Sequence, residues 1–146
     1  MMEQQKTMVV CSRAFKHPVQ RVFEAFLDPM TLAKWYGPSY TTVGILNVEP
    51  VVGGEYAIEL RSERYGSMFT RGIYHEIERF KRLVFSFRFD PDVSLAGDSL
   101  VTVEFEEQNG HTLVTLRQVL EKVIDPAGRT QGWDDSLEKL AQILGG

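Results

Sequence analysis

The sequence predicts an α+β fold: a curved antiparallel sheet of about six to seven strands around one long C-terminal helix, with two short helices after the first strand. Three observations carry this. Apolar and polar residues alternate in short runs between positions 43 and 120, with turn signals between the runs. Asn109-Gly110 joins two of these runs as a tight hairpin, which makes the neighbouring strands antiparallel. After the last run the apolar spacing becomes helical at Trp133, Leu137, Leu140, Ala141 and Leu144. Strands in sequence followed by a helix, rather than strands alternating with helices, exclude a doubly wound parallel sheet and place the helices on one face.

Residues 7–15 read as the first strand. His17-Pro18 opens a helix in which the missing N–H of Pro18 costs nothing, and Val19, Val22, Phe23 and Phe26 form its apolar stripe. Asp28-Pro29 starts a second short helix with Asp28 as N-cap; Leu32 and Trp35 share one side, and Gly37-Pro38 stops it. Residues 43–48 form a strand, and 49–54 a turn ending in Gly53-Gly54. In 55–60, Tyr56, Ile58 and Leu60 share one face and Glu55, Ala57 and Glu59 the other. Residues 69–77 form a strand whose facing the pattern leaves open. Leu83, Phe85, Phe87 and Phe89 alternate with Val84, Ser86 and Arg88, and 90–98 is a loop. Val101, Val103 and Phe105 precede the Asn109-Gly110 turn, and the return strand runs over about 111–120. Asp125-Pro126 reads as an N-cap and first-turn proline, but Gly128 and Gly132 weaken the first turns, so the helix is expected to start nearer 130. Asp135 and Lys139 are an i,i+4 pair on its wet side.

The chain of 146 residues is expected to form one domain, with residues 1–5 frayed. Hydrophobic residues make up 43% and charged residues 25%, the balance of a soluble globular protein. The net charge is −4, and Lys and Arg form no run or stripe, so nucleic acid is not expected as a partner. With a single cysteine, Cys11, and no apolar run of membrane-spanning length or signal-like N-terminus, the reading is a cytoplasmic protein without membrane contact. His17, His75 and His111 have no partners at metal-ligand spacing. No metal, cofactor or catalytic constellation is expected: Gly53-Gly54 lacks the features of a phosphate loop, and Asp134 and Asp135 point about 100° apart on a helix.

The aromatics are the better candidates. Tyr56, Phe85, Phe87, Phe89 and Trp133 are expected to face one interior, with Phe85 and Phe105 reading chiefly as core. Trp35, Tyr36, Tyr74 and Trp133 pair an apolar body with a polar tip, suiting a pocket for a small amphipathic molecule. Gln118 interrupts the apolar register of Val114, Leu116 and Leu120; facing inward it is a polar group in a greasy pocket, facing outward an ordinary surface residue. His75, between Tyr74 and Glu76, is a ligand candidate only if its face is inward.

The order of Pro18, Val22 and Phe23, Trp35 to Pro38, Gly53-Gly54, Gly72-x-Tyr74-x-Glu76-Ile77, Leu83-Val84-Phe85, Val101-Thr102-Val103, the strand from Thr112 to Leu116, and Gly132-Trp133 with Leu137 and Leu140 resembles the START-like, helix-grip superfamily. Within it the chain is similar to the branch named after the activator of Hsp90 ATPase, in its small single-domain form. The resemblance implies a cavity between sheet and C-terminal helix. It does not imply one activity, because a fold does not fix a function. Where the family often carries an Asp and, two positions later, an Arg before its paired glycines, this chain has Glu49 and Val51.

Three functions follow as expectations: a small hydrophobic or aromatic ligand in the cavity; a co-chaperone-like or stress-response interaction module, with chaperone contact; and a cyclase- or hydrolase-type enzyme drawing on His75, Glu76 or Tyr74. A homodimer is also compatible with the pattern.

Overall fold

The computed structural model describes residues 6–92 and 96–145. The frayed segment expected at residues 1–5 lies outside the described residues. β1 (Thr7–Phe15) is followed by α1 (Val19–Ala25) and α2 (Pro29–Trp35), then by β2 (Thr42–Val48), β3 (Glu55–Ser62), β4 (Gly66–Glu78), β5 (Arg82–Asp90), β6 (Ser99–Gln108), β7 (His111–Leu120) and α3 (Ala127–Leu144). The strands form one sheet in the order β1-β7-β6-β5-β4-β3-β2. Every neighbouring pair is antiparallel. β1 therefore leaves its sequence neighbours and closes the sheet beside β7, and α1 and α2 make the crossing between the two edges.

Both short helices begin as their residues dictate. The Pro18 carbonyl accepts from Arg21 N and Val22 N, and the Glu107 carboxylate of β6 accepts from Val19 N at 2.8 Å, satisfying a donor that the helix itself leaves open. Asp28 caps α2: its Oδ2 accepts from Thr31 N at 3.1 Å and from the Thr31 hydroxyl at 2.6 Å. The hairpin between β6 and β7 has positive φ at Asn109 (56°) and Gly110 (79°), as a two-residue turn of the hairpin type requires.

One face of the sheet carries the core. Val9, Cys11, Ile58, Leu60, Leu83, Val101, Val103, Val114, Leu116 and Leu120 are buried there under Trp133, Leu137, Leu140, Ala141 and Leu144 of α3. α1 and α2 add Val22, Phe23, Leu32 and Trp35. The Trp35 indole N–H donates to the Ala25 carbonyl at 3.0 Å, tying the two short helices together inside the core.

Gly53 and Gly54 serve different needs. Gly53 has φ +84°, with open space where a Cβ would stand. Gly54 lies where a Cβ would meet the Glu49 carbonyl oxygen at 2.1 Å. Together they let the 49–54 turn join β4, where Gly53 N donates to Tyr74 O and Tyr74 N to Gly54 O.

Several expectations need correction. β4 starts at Gly66 rather than at 69, because it pairs with β3 along the whole length of β3, from Ser62↔Gly66 to Glu55↔Ile73. α3 starts at Ala127 rather than nearer 130. Its N-cap is Pro126, and Asp125, one residue earlier, accepts from Ala127 N at 3.0 Å, which secures the turn that the glycines weaken. Asp135 and Lys139 do attract one another, but they are half-buried rather than on a wet side. Both reach the turn after α2: Asp135 accepts from Ser39 N at 3.0 Å and Lys139 donates to Pro38 O at 3.1 Å.

Three substitutions test these roles. Asp28→Ala is expected to lower the unfolding free energy by about 1 kcal/mol, the usual cost of a lost N-cap, measured from the denaturant midpoint. Gly53→Ala is expected to cost roughly 1–2 kcal/mol for a left-handed alanine. Gly54→Ala should cost more than Gly53→Ala in the same assay, because its methyl overlaps backbone that is held by strand pairing.

Candidate functional site

A cavity of about 490 Å³ lies between the sheet and the N-terminal half of α3. That is within the roughly 300–1,000 Å³ typical of small-molecule sites. Phe87 and Phe89 of β5 and Trp133 of α3 give it aromatic walls, and Leu60 of β3 and Met68 of β4 extend the apolar lining. Phe87 stands edge-on to Phe89 with centroids 5.2 Å apart, and 5.5 Å from Trp133. Tyr40 and Tyr65 stand at the rim, 60% and 64% exposed, in edge contact with each other at 5.5 Å.

Polar atoms within this lining are already ordered. The Trp133 indole N–H donates to Gln118 Oε1 at 2.8 Å, Gln118 Nε2 donates to Ser99 Oγ at 2.8 Å, and the Ser99 hydroxyl donates to the Phe87 carbonyl at 3.0 Å. An indole can only donate, so the relay has one consistent direction and fixes the orientation of the buried Gln118 amide. The hydroxyls of Tyr36 and Thr70 are 2.9 Å apart. Burial pushes the Tyr36 phenol well above its ordinary pKa. It is therefore protonated at neutral pH, able to donate a hydrogen bond and unfit as a base. Ser136 and Asp135 hold the opposite rim: Gly37 N donates to Ser136 Oγ at 3.0 Å, beside the Ser39 and Lys139 bonds already described.

The structure separates the expected site residues into three groups. Tyr36, Phe87, Phe89, Gln118 and Trp133 line the cavity. Trp35, Tyr56, Tyr74 and Phe85 do not. They surround an interior gap of about 20 Å³, room for about one water. Tyr56 is tied down there, donating to the Ser86 carbonyl at 2.6 Å. These four residues are core, not cavity wall.

His75 is a correction of a different kind. β4 pairs Tyr74 with Phe85 and Glu76 with Val84, so an irregularity falls at His75 and the register shifts. Tyr74 is buried and His75 exposed. Glu76 pairs with Arg82 at the surface, 3.8 Å apart. Of the three groups expected to serve acid–base chemistry, only Tyr74 points inward, and burial raises its pKa to about 12. A phenol held so high does not act as a general base at neutral pH. Cys11 is likewise inert: burial first, then the nearby Asp134, raises its thiol to about 12, and the sulfur sits 3.6 Å from the Thr130 carbonyl. Among the described residues no group of three or more His, Cys, Asp or Glu could hold a metal ion. No helix among them is long and apolar enough to cross a membrane.

Among the cavity residues that the sequence does not single out are Tyr40, Tyr65, Met68 and Arg129. Tyr40 and Tyr65 lie outside helices and strands, where periodicity says nothing, and Met68 lies in the part of β4 missed by starting that strand at 69. Arg129 precedes Trp133 by one helical turn on the same face. A helix begun nearer 130 hides it; a helix begun at 127 reveals it.

The comparisons with known proteins agree with this architecture. The chain is similar to a crystal structure of a protein from Chromobacterium violaceum, with 31% identity, coverage of 93% of this chain and 95% of that one, and a TM-score of 0.83. A solution structure of a protein from Arthrobacter aurescens superposes with a TM-score of 0.85 at 22% identity, covering 94% and 86%. A solution structure from Aeromonas hydrophila, described as AHSA1-like, superposes with a TM-score of 0.75 at 22% identity, covering 93% and 90%. No curated protein matches the chain. The pattern of the activator of Hsp90 ATPase homolog 1-like protein family matches residues 16–145, and with the helix-grip arrangement of sheet and α3 in view, the chain belongs to that family.

Proposed function

We propose that this protein binds a small, largely apolar or aromatic molecule in the cavity between the sheet and α3. The observation that carries the reading is the cavity itself: about 490 Å³ beside a core that elsewhere closes to a gap of about 20 Å³. Close packing is the default for protein interiors. Leaving this volume unfilled forfeits dispersion contacts for Phe87, Phe89 and Trp133, and an apolar occupant would restore them. Gln118 and the Tyr36–Thr70 pair are held by hydrogen bonds within the protein, which suits selection among ligands more than chemistry on them. The family's description speaks of Hsp90 ATPase activation, an activity of other members. In this chain the feature that calls for an occupant is the cavity.

A panel of naphthalene- and phenyl-bearing compounds tests the reading by thermal unfolding. A true ligand at 100 times its dissociation constant should stabilise by about 2.7 kcal/mol, raising Tm by several degrees. If no member of the panel moves Tm, the reading fails. Gly132→Leu supplies the complementary test. Gly132 lines the cavity, and a Cβ there meets only Pro38 Cγ, at 3.5 Å. Replacing a mid-helix glycine gains up to about 1 kcal/mol of helix propensity, so the variant should keep the fold and lose the ligand-induced shift. A variant that folds and still shows the full shift would place the ligand elsewhere.

A further inference from the structure

Tyr36 and Thr70 both line the cavity, and their hydroxyls stand 2.9 Å apart. Each hydroxyl carries one hydrogen and can accept at its oxygen. The bond between them uses one of the two hydrogens, whichever group donates. Among the described residues no other group accepts a hydrogen from either hydroxyl. One hydrogen of the pair is therefore left over. Neighbouring hydroxyls of the lining differ: Ser136 donates to the Gly132 carbonyl at 2.9 Å and Thr41 to the Pro38 carbonyl at 2.8 Å.

Burial decides which hydrogen remains. Thr70 is 0% exposed, whereas Tyr36 keeps 7%. If Tyr36 donated, the surplus hydrogen would sit on Thr70, sealed from water, and would carry the full desolvation cost of a buried donor. With Thr70 donating, the surplus hydrogen is on Tyr36, which still touches open space. Tyr36 borders both the cavity and the inner gap, but Thr70 lines only the cavity, so the hydroxyl end of Tyr36 lies at the cavity. The ring of Tyr36 stands edge-on to Trp133 with centroids 6.3 Å apart, and Trp133 lies 5.5 Å from Phe87. The donor thus adjoins the aromatic wall.

We infer that the occupant of the cavity is an aromatic or apolar molecule bearing an uncharged acceptor oxygen, as in a ketone, with that oxygen accepting from the Tyr36 hydroxyl and its body against Phe87 and Trp133. This inference rests on the cavity-binding reading above and deepens it. A ligand without an acceptor shuts the Tyr36 hydrogen away from water and leaves it unmet, which weakens binding; a ligand with one satisfies it. The acceptor needs no charge, because the donor is a neutral phenol and the Arg129 guanidinium of the lining has its counter-charge in Asp92.

The test uses two probes of nearly one shape, 2-acetonaphthone and 2-isopropenylnaphthalene, in which C=CH₂ replaces C=O. Each is kept dilute while the full chain is titrated in calorimetrically at pH 7. The hydrocarbon leaves water more readily, so an apolar cavity without a free donor favours it. The expected result is the reverse: the ketone binds the wild-type protein about fivefold tighter. Tyr36→Phe should lower that ratio at least tenfold, so that the hydrocarbon is preferred, with thermal unfolding checking that the variant is folded. The infrared carbonyl stretch of the ketone bound to the wild-type protein should lie below its position in hexane, a readout that needs no variant. Hydrocarbon binding as tight as the ketone's in the wild-type protein, a ratio that survives Tyr36→Phe in a folded variant, or an unshifted carbonyl stretch overturns the inference and leaves the cavity reading standing. Failure of both probes to bind the wild-type protein counts against the cavity reading itself, and the inference falls with it.

Discussion

A helix laid across a sheet needs a fixed height and a fixed rotation if a cavity is to persist beneath it. Here one buried hydrogen bond, from the Trp133 indole to the Gln118 amide, sets both for α3. Gln118 is fully buried in β7, and Trp133 is only 7% exposed. Losing either partner would leave a buried polar group unsatisfied, a penalty of about 1–3 kcal/mol. The bond is directional, and it continues through Ser99 to the backbone of β5. Three adjacent strands are thereby referenced to one point on the helix, since β5 pairs with β6 and β6 with β7. The polar residue that interrupts the apolar register of β7 is what anchors the helix that closes the fold.

The second restraint on α3 comes from the turn after α2. Gly37, Pro38 and Ser39 each contribute a backbone group to a side chain of α3: Ser136, Lys139 and Asp135 respectively. These bonds hold the middle of α3, as Asp125 holds its first turn. They also join the cavity to the aromatic core. Rings touch in sequence from Phe80 through Phe23, Phe105, Phe26, Trp35 and Tyr36 to Trp133, and on through Phe87 to Phe89. At the inner end of this chain the rings are packed against one another. At the outer end they face open volume, and the change falls at Tyr36 and Trp133, which border both spaces.

Much of the fold was legible in the sequence because its signals are local. The hairpin pair Asn109-Gly110, the Asp28 cap and the alternation of β3 and β5 each act within a few residues, and the structure keeps them, except that Glu59 and Val84 are buried as well. The anchoring of Asp135 and Lys139 is not legible because their partners are 96 and 101 positions away, and helical spacing cannot report a contact with a distant turn. The facing of β4 was illegible for a specific reason: the irregularity at His75 breaks the period-two rule at the place where the rule was needed. The candidate site was half legible. Aromatic residues can be recognised by type, but whether a ring lines a cavity or fills a core depends on the far side of the sheet. Tyr56 and Phe87 therefore look alike in sequence and differ in place. Arg129 was lost to a helix boundary set three residues too late.

Whether the space beneath α3 is a binding site can be read from the two tryptophan indole N–H resonances in ¹H–¹⁵N spectra during titration with 2-naphthoate. Trp133 borders the cavity, while Trp35 donates to Ala25 inside the packed core and serves as an internal reference. Binding beneath α3 gives a saturable shift of the Trp133 indole and of the Gln118 side-chain amide, with the Trp35 indole nearly unmoved. A saturable shift confined to the outer face of the sheet, around the exposed Met8, Val10 and Leu100, with Trp133 unchanged, would place the ligand outside this cavity.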